Sequence, residues 1–131
     1  MADIPDEYRD LVTGTHYATI ATVLPDGTPH QTVTWIDYDG EHLVVNTAEG
    51  RRKVKNARLN PRASVMVVDS DDPHRYLSVQ GEVEAVTTEG AYDHANEMGL
   101  RYDGEEDFMD RYGPEVTRVL LRVRPKHVIT H

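Results

Sequence analysis

The sequence predicts a mainly β domain in which six antiparallel strands close, or nearly close, into a barrel with helices at its flanks. Three observations carry that prediction. Short runs rich in Val, Ile, Thr and Tyr alternate apolar with polar residues along much of the chain. Turn residues such as Pro25-Asp26-Gly27 and Asp39-Gly40 separate those runs at short intervals. The 131 residues, 38% of them hydrophobic, suffice for one core and not for two, so residues 1–131 read as a single domain.

The elements follow in order. Pro5 suits a first helical position, Ile4, Tyr8, Leu11 and Val12 fall at helical spacing, and Gly14 suits the stop. Three strands are expected next, His16–Leu24, Pro29–Tyr38 and His42–Thr47, joined by the two tight turns into a meander. Gly50 opens a helix over Arg51–Asn60, which Pro61 closes. Ala63–Asp69 reads as a buried strand and Ser70–Arg75 as a polar loop. Tyr76–Val86 alternates as a strand, and Thr87 or Thr88 caps a helix running to about Leu100. A short helix over Glu105–Tyr112 and a last strand over Thr117–Arg124 complete the chain.

Composition removes several function classes. Cysteine is absent, so there is no disulfide framework, thiolate metal site or cysteine nucleophile. The acidic start, MADIPDEYRD, is unlike a secretory signal, and no apolar run is long enough to span a bilayer. A cytoplasmic protein is the expectation. Lys and Arg total 14 against 23 Asp and Glu, and a net charge of −9 opposes binding to nucleic acid. The seven histidines form no i, i+4 pair or ligand-like cluster, so no metal site is expected. Nucleophile-elbow, Rossmann and P-loop motifs are absent.

Against that acidic background, residues 51–62 stand out. Six of the 14 basic residues fall in these 12 positions, with no acid among them. The window starts where a helix is expected to start, and free backbone N–H groups there favour an anion. Arg51 and Lys53 oppose the helix dipole in that first turn, which an anion would offset. The prediction is a phosphate site, the other reading being a solvated basic face. Neither Arg51 nor Lys53 is expected in the core, and Arg118 on the last strand is expected to stand clear of the site. Thr32 and Thr34 should share one face of their strand, opposite Gln31, Val33 and Trp35. With Asn46 and Thr47 they offer hydroxyls and amides to the edge of a polar heterocycle.

The run TVLPDGTPHQTVTWIDYDGEHLVVNTAEGRRKVKNARLNPRASVMVVD resembles the pyridoxamine-phosphate-oxidase-like proteins. Its landmarks are Asp26-Gly27-Thr28-Pro29, Trp35, the N-T-A-x-G-R-x-K-x-x-N run from Asn46 to Asn56, and Pro61-Arg62. Gly81-Glu82-Val83 and Val119–Pro125 also match, and the resemblance covers about residues 10–128. It implies a six-stranded split β-barrel and a cofactor groove between the two subunits of a homodimer. It further implies that Arg51 and Lys53 bind the cofactor phosphate, supported by Lys55 and Asn56. His30, Thr32, Val33 and Thr34 would line the ring, with Asn46 and Thr47 beside the ribityl chain. His74 and Tyr76 of the second subunit would close the pocket. The branch most resembled uses the deazaflavin coenzyme F420, and other branches use FMN. The activity implied is that of an oxidoreductase transferring hydride to a small conjugated substrate. A side chain delivering a proton would be drawn from His30, His74 and Tyr76. The rival readings are an FMN-dependent oxidase or reductase, a non-catalytic cofactor carrier, and an RNA-binding module, which the net charge opposes.

Overall fold

The alternating runs form seven strands in one antiparallel sheet, seen in a computed structural model that describes residues 2–131. In chain order these are β1 (Ala18–Val23), β2 (Pro29–Thr34), β3 (Asp37–Tyr38), β4 (Leu43–Ala48), β5 (Arg62–Val68), β6 (Tyr76–Thr87) and β7 (Arg118–Thr130). Three helices accompany them: α1 (Asp10–Thr13), α2 (Arg52–Leu59) and α3 (Ala91–Asp103). The seventh strand arises because Pro29–Tyr38 breaks at Trp35-Ile36 into β2 and β3.

That break also overturns the meander. The sheet order is β2-β1-β5-β6-β7-β4-β3, so β2 and β3 lie on opposite edges. Thr34 and Asp37 are three residues apart and can be separated by at most about 11 Å. The sheet therefore curls until its two edges stand side by side without pairing, which is a split barrel. Its interior is filled from β1, β4, β5, β6 and β7 by residues such as Ile20, Val45, Val65, Val79 and Leu121, with Leu11 and Val12 of α1 and Val54 of α2 joining them. Helix α3 lies against the opposite, outer face of β4 and β7, where Ala91 packs on Val44 and Leu120.

The last strand runs six residues beyond its expected end at Arg124. Proline cannot donate to a sheet ladder, and Pro125 marked that end. Its partner in β6 is Gly81, at a register shift that accommodates the missing donor. A Cβ on Gly81 would stand 2.3 Å from the Arg124 carbonyl oxygen, so only glycine permits the approach. The 105–112 helix is reduced to one 3-10 turn, Phe108–Arg111. No helix among the described residues is long and apolar enough to cross a membrane.

Candidate functional site

Where the two sheet edges fail to meet, a groove of about 220 Å³ opens. One wall comes from β2 and its flanks (Tyr17, Val33, Thr34, Trp35). The other comes from Asn46 of β4 and Arg118 of β7, with Arg51 at one mouth and Phe108 and Tyr112 across it. Gly50, at φ +90°, turns the chain out of β4 so that Arg51 stands immediately before α2. The backbone amides of Arg52 and Lys53, the first of the helix, donate to no acceptor among the described residues.

Charge pairing separates this region from the rest of the surface. Eight of the fourteen basic residues have a carboxylate within 4.0 Å. The six left unpaired among the described residues are Arg51, Arg52, Lys53, Lys55, Arg62 and Arg118. Five come from the basic window, and the sixth joins Arg51 in the groove.

Lys53 is not the surface residue expected. It is 7% exposed, and its ammonium donates to Thr32 Oγ1 at 2.9 Å. Burial, then the charges of Arg51 and Arg118, pull it below the ordinary lysine range. Burial lowers Arg118 as well, with Arg51 adding to it. Arg118, expected to stand clear of the site, lines this groove from the strand register opposite Ala48.

Of the twelve residues expected at the site, the groove brings together Val33, Thr34, Asn46 and Arg51. Thr32 and Lys53 form a pair beside it. Thr47 points into the barrel, 2% exposed and with no partner for Oγ1, because it alternates with the outward Asn46. Asn56 is fully buried beneath α2, where its Nδ2 donates to Thr22 Oγ1 at 3.1 Å. Lys55 is exposed on the far side of that helix turn. His30 is half-buried, its Nδ1 without a partner. His74 is exposed and Tyr76 stacks on His131 at 5.4 Å, both outside the groove.

The aromatic wall was not expected. Trp35 stacks on Tyr102 at 5.0 Å and meets Phe108 at 5.1 Å, and Phe108 meets Tyr112 at 5.7 Å. Tyr102 is anchored by donating to the His16 carbonyl at 2.6 Å and accepting from the Ile36 amide at 3.0 Å. Behind the groove, His94 of α3 and Arg101 both bond the Asp37 carboxylate, at 2.9 and 3.0 Å. Burial alone would raise Asp37, but the bonds from His94, the Tyr38 amide and Arg101 outweigh it and hold the carboxyl at about 2.

The arrangement can hold a flat, partly apolar molecule against aromatic side chains with an anionic end at Arg51. Comparisons with known proteins identify the family. A family model described as pyridoxamine 5'-phosphate oxidase matches residues 4–131. A solved structure described as an F420 reductase superposes with a TM-score of 0.83 at 34% identity, covering 96% of this chain and 98% of that one. The conserved hypothetical protein Rv2991 from Mycobacterium tuberculosis gives 0.77 at 26% identity, over 99% and 87% of the two chains. A pyridoxamine 5'-phosphate oxidase-like structure from Listeria innocua gives 0.69 at 16% identity, over 95% of each chain, and shows the fold alone. With a sheet split at this groove and a family match from Ile4 to His131, the chain belongs to the pyridoxamine 5'-phosphate oxidase family.

Proposed function

We propose that this protein is an oxidoreductase that holds the deazaflavin coenzyme F420 by its phosphate in the split of the barrel and acts on a small conjugated substrate. The observation that carries the reading is that two carboxylate-free cations, Arg51 and Arg118, line one groove with the buried Lys53 beside it, in a chain of net charge −9. The residues present fit such a group. Arg51 and the first amides of α2 would take the phosphate, with the Lys53 charge behind them. Tyr17, Trp35, Phe108 and Tyr112 would exclude water from a conjugated ring and orient it. When bound, a deazaflavin supplies a ring carbon that carries hydride; the protein's part is to bind and position. A conjugated substrate such as an enone, quinone or tetrapyrrole would stack on that ring. The 34% identity to a protein described as an F420 reductase favours the deazaflavin over FMN. Titration of the purified protein with each coenzyme, followed by quenching of ring fluorescence, tests this. Tight binding of the deazaflavin is expected. A response to FMN alone would reverse the choice, and no response to either would overturn the reading.

The working unit under this proposal is a homodimer in the cytoplasm. Across the outer face of the sheet, Val33, Thr19, Met66, Ser78 and Ile129 form one register row. Val33 is 68% exposed, Met66 38% and Ile129 51%, with Tyr17 and Val68 exposed beside them. Val33 and Tyr17 also belong to the groove, so a second copy covering this apolar row would close the groove as well. His74 and Tyr76 lie at the β6 end of the same face, and only from the second copy would they reach a groove. Light scattering should give about twice the 14.8 kDa chain mass. A monomer that still binds coenzyme would sink the shared groove.

A further inference from the structure

We propose that Arg118 is an anion-binding residue of the groove and that Asn46 is the positioning residue that aims it; the proposal rests on the reading that the groove takes a phosphate-bearing coenzyme. Arg118 is half-buried and has no carboxylate partner among the described residues. Its Nε donates to Asn46 Oδ1 at 2.8 Å, and its guanidinium lies 5.9 Å from the centre of the Tyr112 ring. Both Nη groups are left without an acceptor among the described residues. A guanidinium pinned through Nε and braced on an aromatic face presents those two nitrogens as a fork, the geometry that binds two oxygens of one phosphate.

The orientation of Asn46 follows from donor and acceptor chemistry. Arg118 Nε only donates and the Ala91 carbonyl only accepts, so Asn46 must turn Oδ1 to the former and Nδ2 to the latter, at 2.9 Å. The second Nδ2 hydrogen points to His94 Nδ1 at 2.9 Å, which must accept. The imidazole proton then sits on Nε2 and faces Asp37 Oδ2. Arg101 satisfies the other carboxylate oxygen. Along the path Asp37–His94–Asn46–Arg118 each hydrogen bond pairs a donor with an acceptor, and the Arg118 Nη groups are the free donors at its groove end. Asn46 is thus held by α3, with Asp37 of β3 fixing His94 behind it, and it holds Arg118 before any ligand arrives. Such preorganisation lowers the cost of ordering a long side chain on binding.

The experiment compares Arg118→Gln, Arg118→Lys, Asn46→Ala and the double variant Asn46→Ala/Arg118→Gln. Each is titrated with coenzyme F420 and with its chromophore lacking the phosphate, after thermal unfolding has confirmed a folded protein. Arg118→Gln is expected to weaken F420 by about ten- to a hundredfold and the phosphate-free chromophore by less than about threefold. Arg118→Lys, which keeps the charge without the fork, should recover only part of the loss. Asn46→Ala should cost about three- to tenfold alone and nothing further in the double variant. Equal losses for the two compounds, or an Asn46 effect undiminished in the double variant, would overturn the proposal. Inorganic pyrophosphate, read by the rise in unfolding temperature, separates the two claims. A wild type that ignores both coenzymes but is stabilised by pyrophosphate through Arg118 overturns the coenzyme reading alone. One indifferent to all three overturns both.

Discussion

Lys53→Met is expected to bind the coenzyme about ten- to a hundredfold more weakly than the wild type while melting at a higher temperature in its absence. The two effects have one source. The Lys53 ammonium is 7% exposed, meets no carboxylate among the described residues, and sits in the field of Arg51 and Arg118. Its charged hydrogen bond to Thr32 is worth about 1.5–3 kcal/mol, less than the several kcal/mol that burying an unpaired charge costs. Methionine keeps the length of the stem and removes the charge, so no large cavity opens. A net gain of about 1 kcal/mol corresponds to roughly 3–5 °C for a chain of this size. The pH dependence supplies a check. Below its lowered folded-state pKa, Lys53 is charged in both states and its penalty is fully present. As pH rises toward 10.5, the folded protein releases the proton first, the penalty is relieved, and the wild type should gain on Lys53→Met. Coincident stability curves for the two proteins would mean that the buried charge carries no cost.

The barrel was legible because its signals are local. Alternation over Tyr76–Val86 and turn residues at Asp26-Gly27 state strand and turn without help from the rest of the chain. What misled was longer in range. Two tight turns in succession imply a meander, but the break at Trp35-Ile36 sends the chain to the far edge, and only the curl of the whole sheet makes that crossing short. At the site, the basic window announced Arg51 by density of charge, whereas Arg118 sits in a strand where Arg118, Arg122 and Arg124 look alike. Only register separates them: Arg122 and Arg124 pair with Asp39 and Glu84, and Arg118 meets Asn46. Alternation could have warned that Asn46 and Thr47 cannot both face the groove. The aromatic wall had no such signal, because Phe108 and Tyr112 belong to an irregular segment placed by its contacts with α3.

Those contacts make Gly99→Ala the substitution with the largest expected effect on the wall. Glycine inside an exposed helix is ordinarily a weakness, and alanine there stabilises by about 1 kcal/mol. Here the helix is packed. Gly99 is buried, and a Cβ on it would lie 2.2 Å from Phe108 Cβ and 2.4 Å from Phe108 Cγ. Rotating the Phe108 ring cannot relieve a clash with its own Cβ, so the backbone of the 3-10 turn must move. That turn is held by the Met109 amide donating to Asn96 Oδ1 at 2.8 Å and by a small cluster with Ala95 and Met109. Overpacking of this kind typically costs about 1–3 kcal/mol, and displacing a fixed turn sits at the upper end. The steric term therefore exceeds the propensity gain, and Gly99→Ala should lower stability by about 1–2 kcal/mol. Phe108 would leave its contact with Trp35 and alter the ring side of the groove, not the phosphate side. Binding of the phosphate-free chromophore should then fall by about as large a factor as binding of the intact coenzyme, unlike the phosphate-selective loss expected for Arg118. A Gly99→Ala protein that is more stable than the wild type, with unchanged affinity for both compounds, would show that the turn yields freely and that Phe108 does not shape the groove.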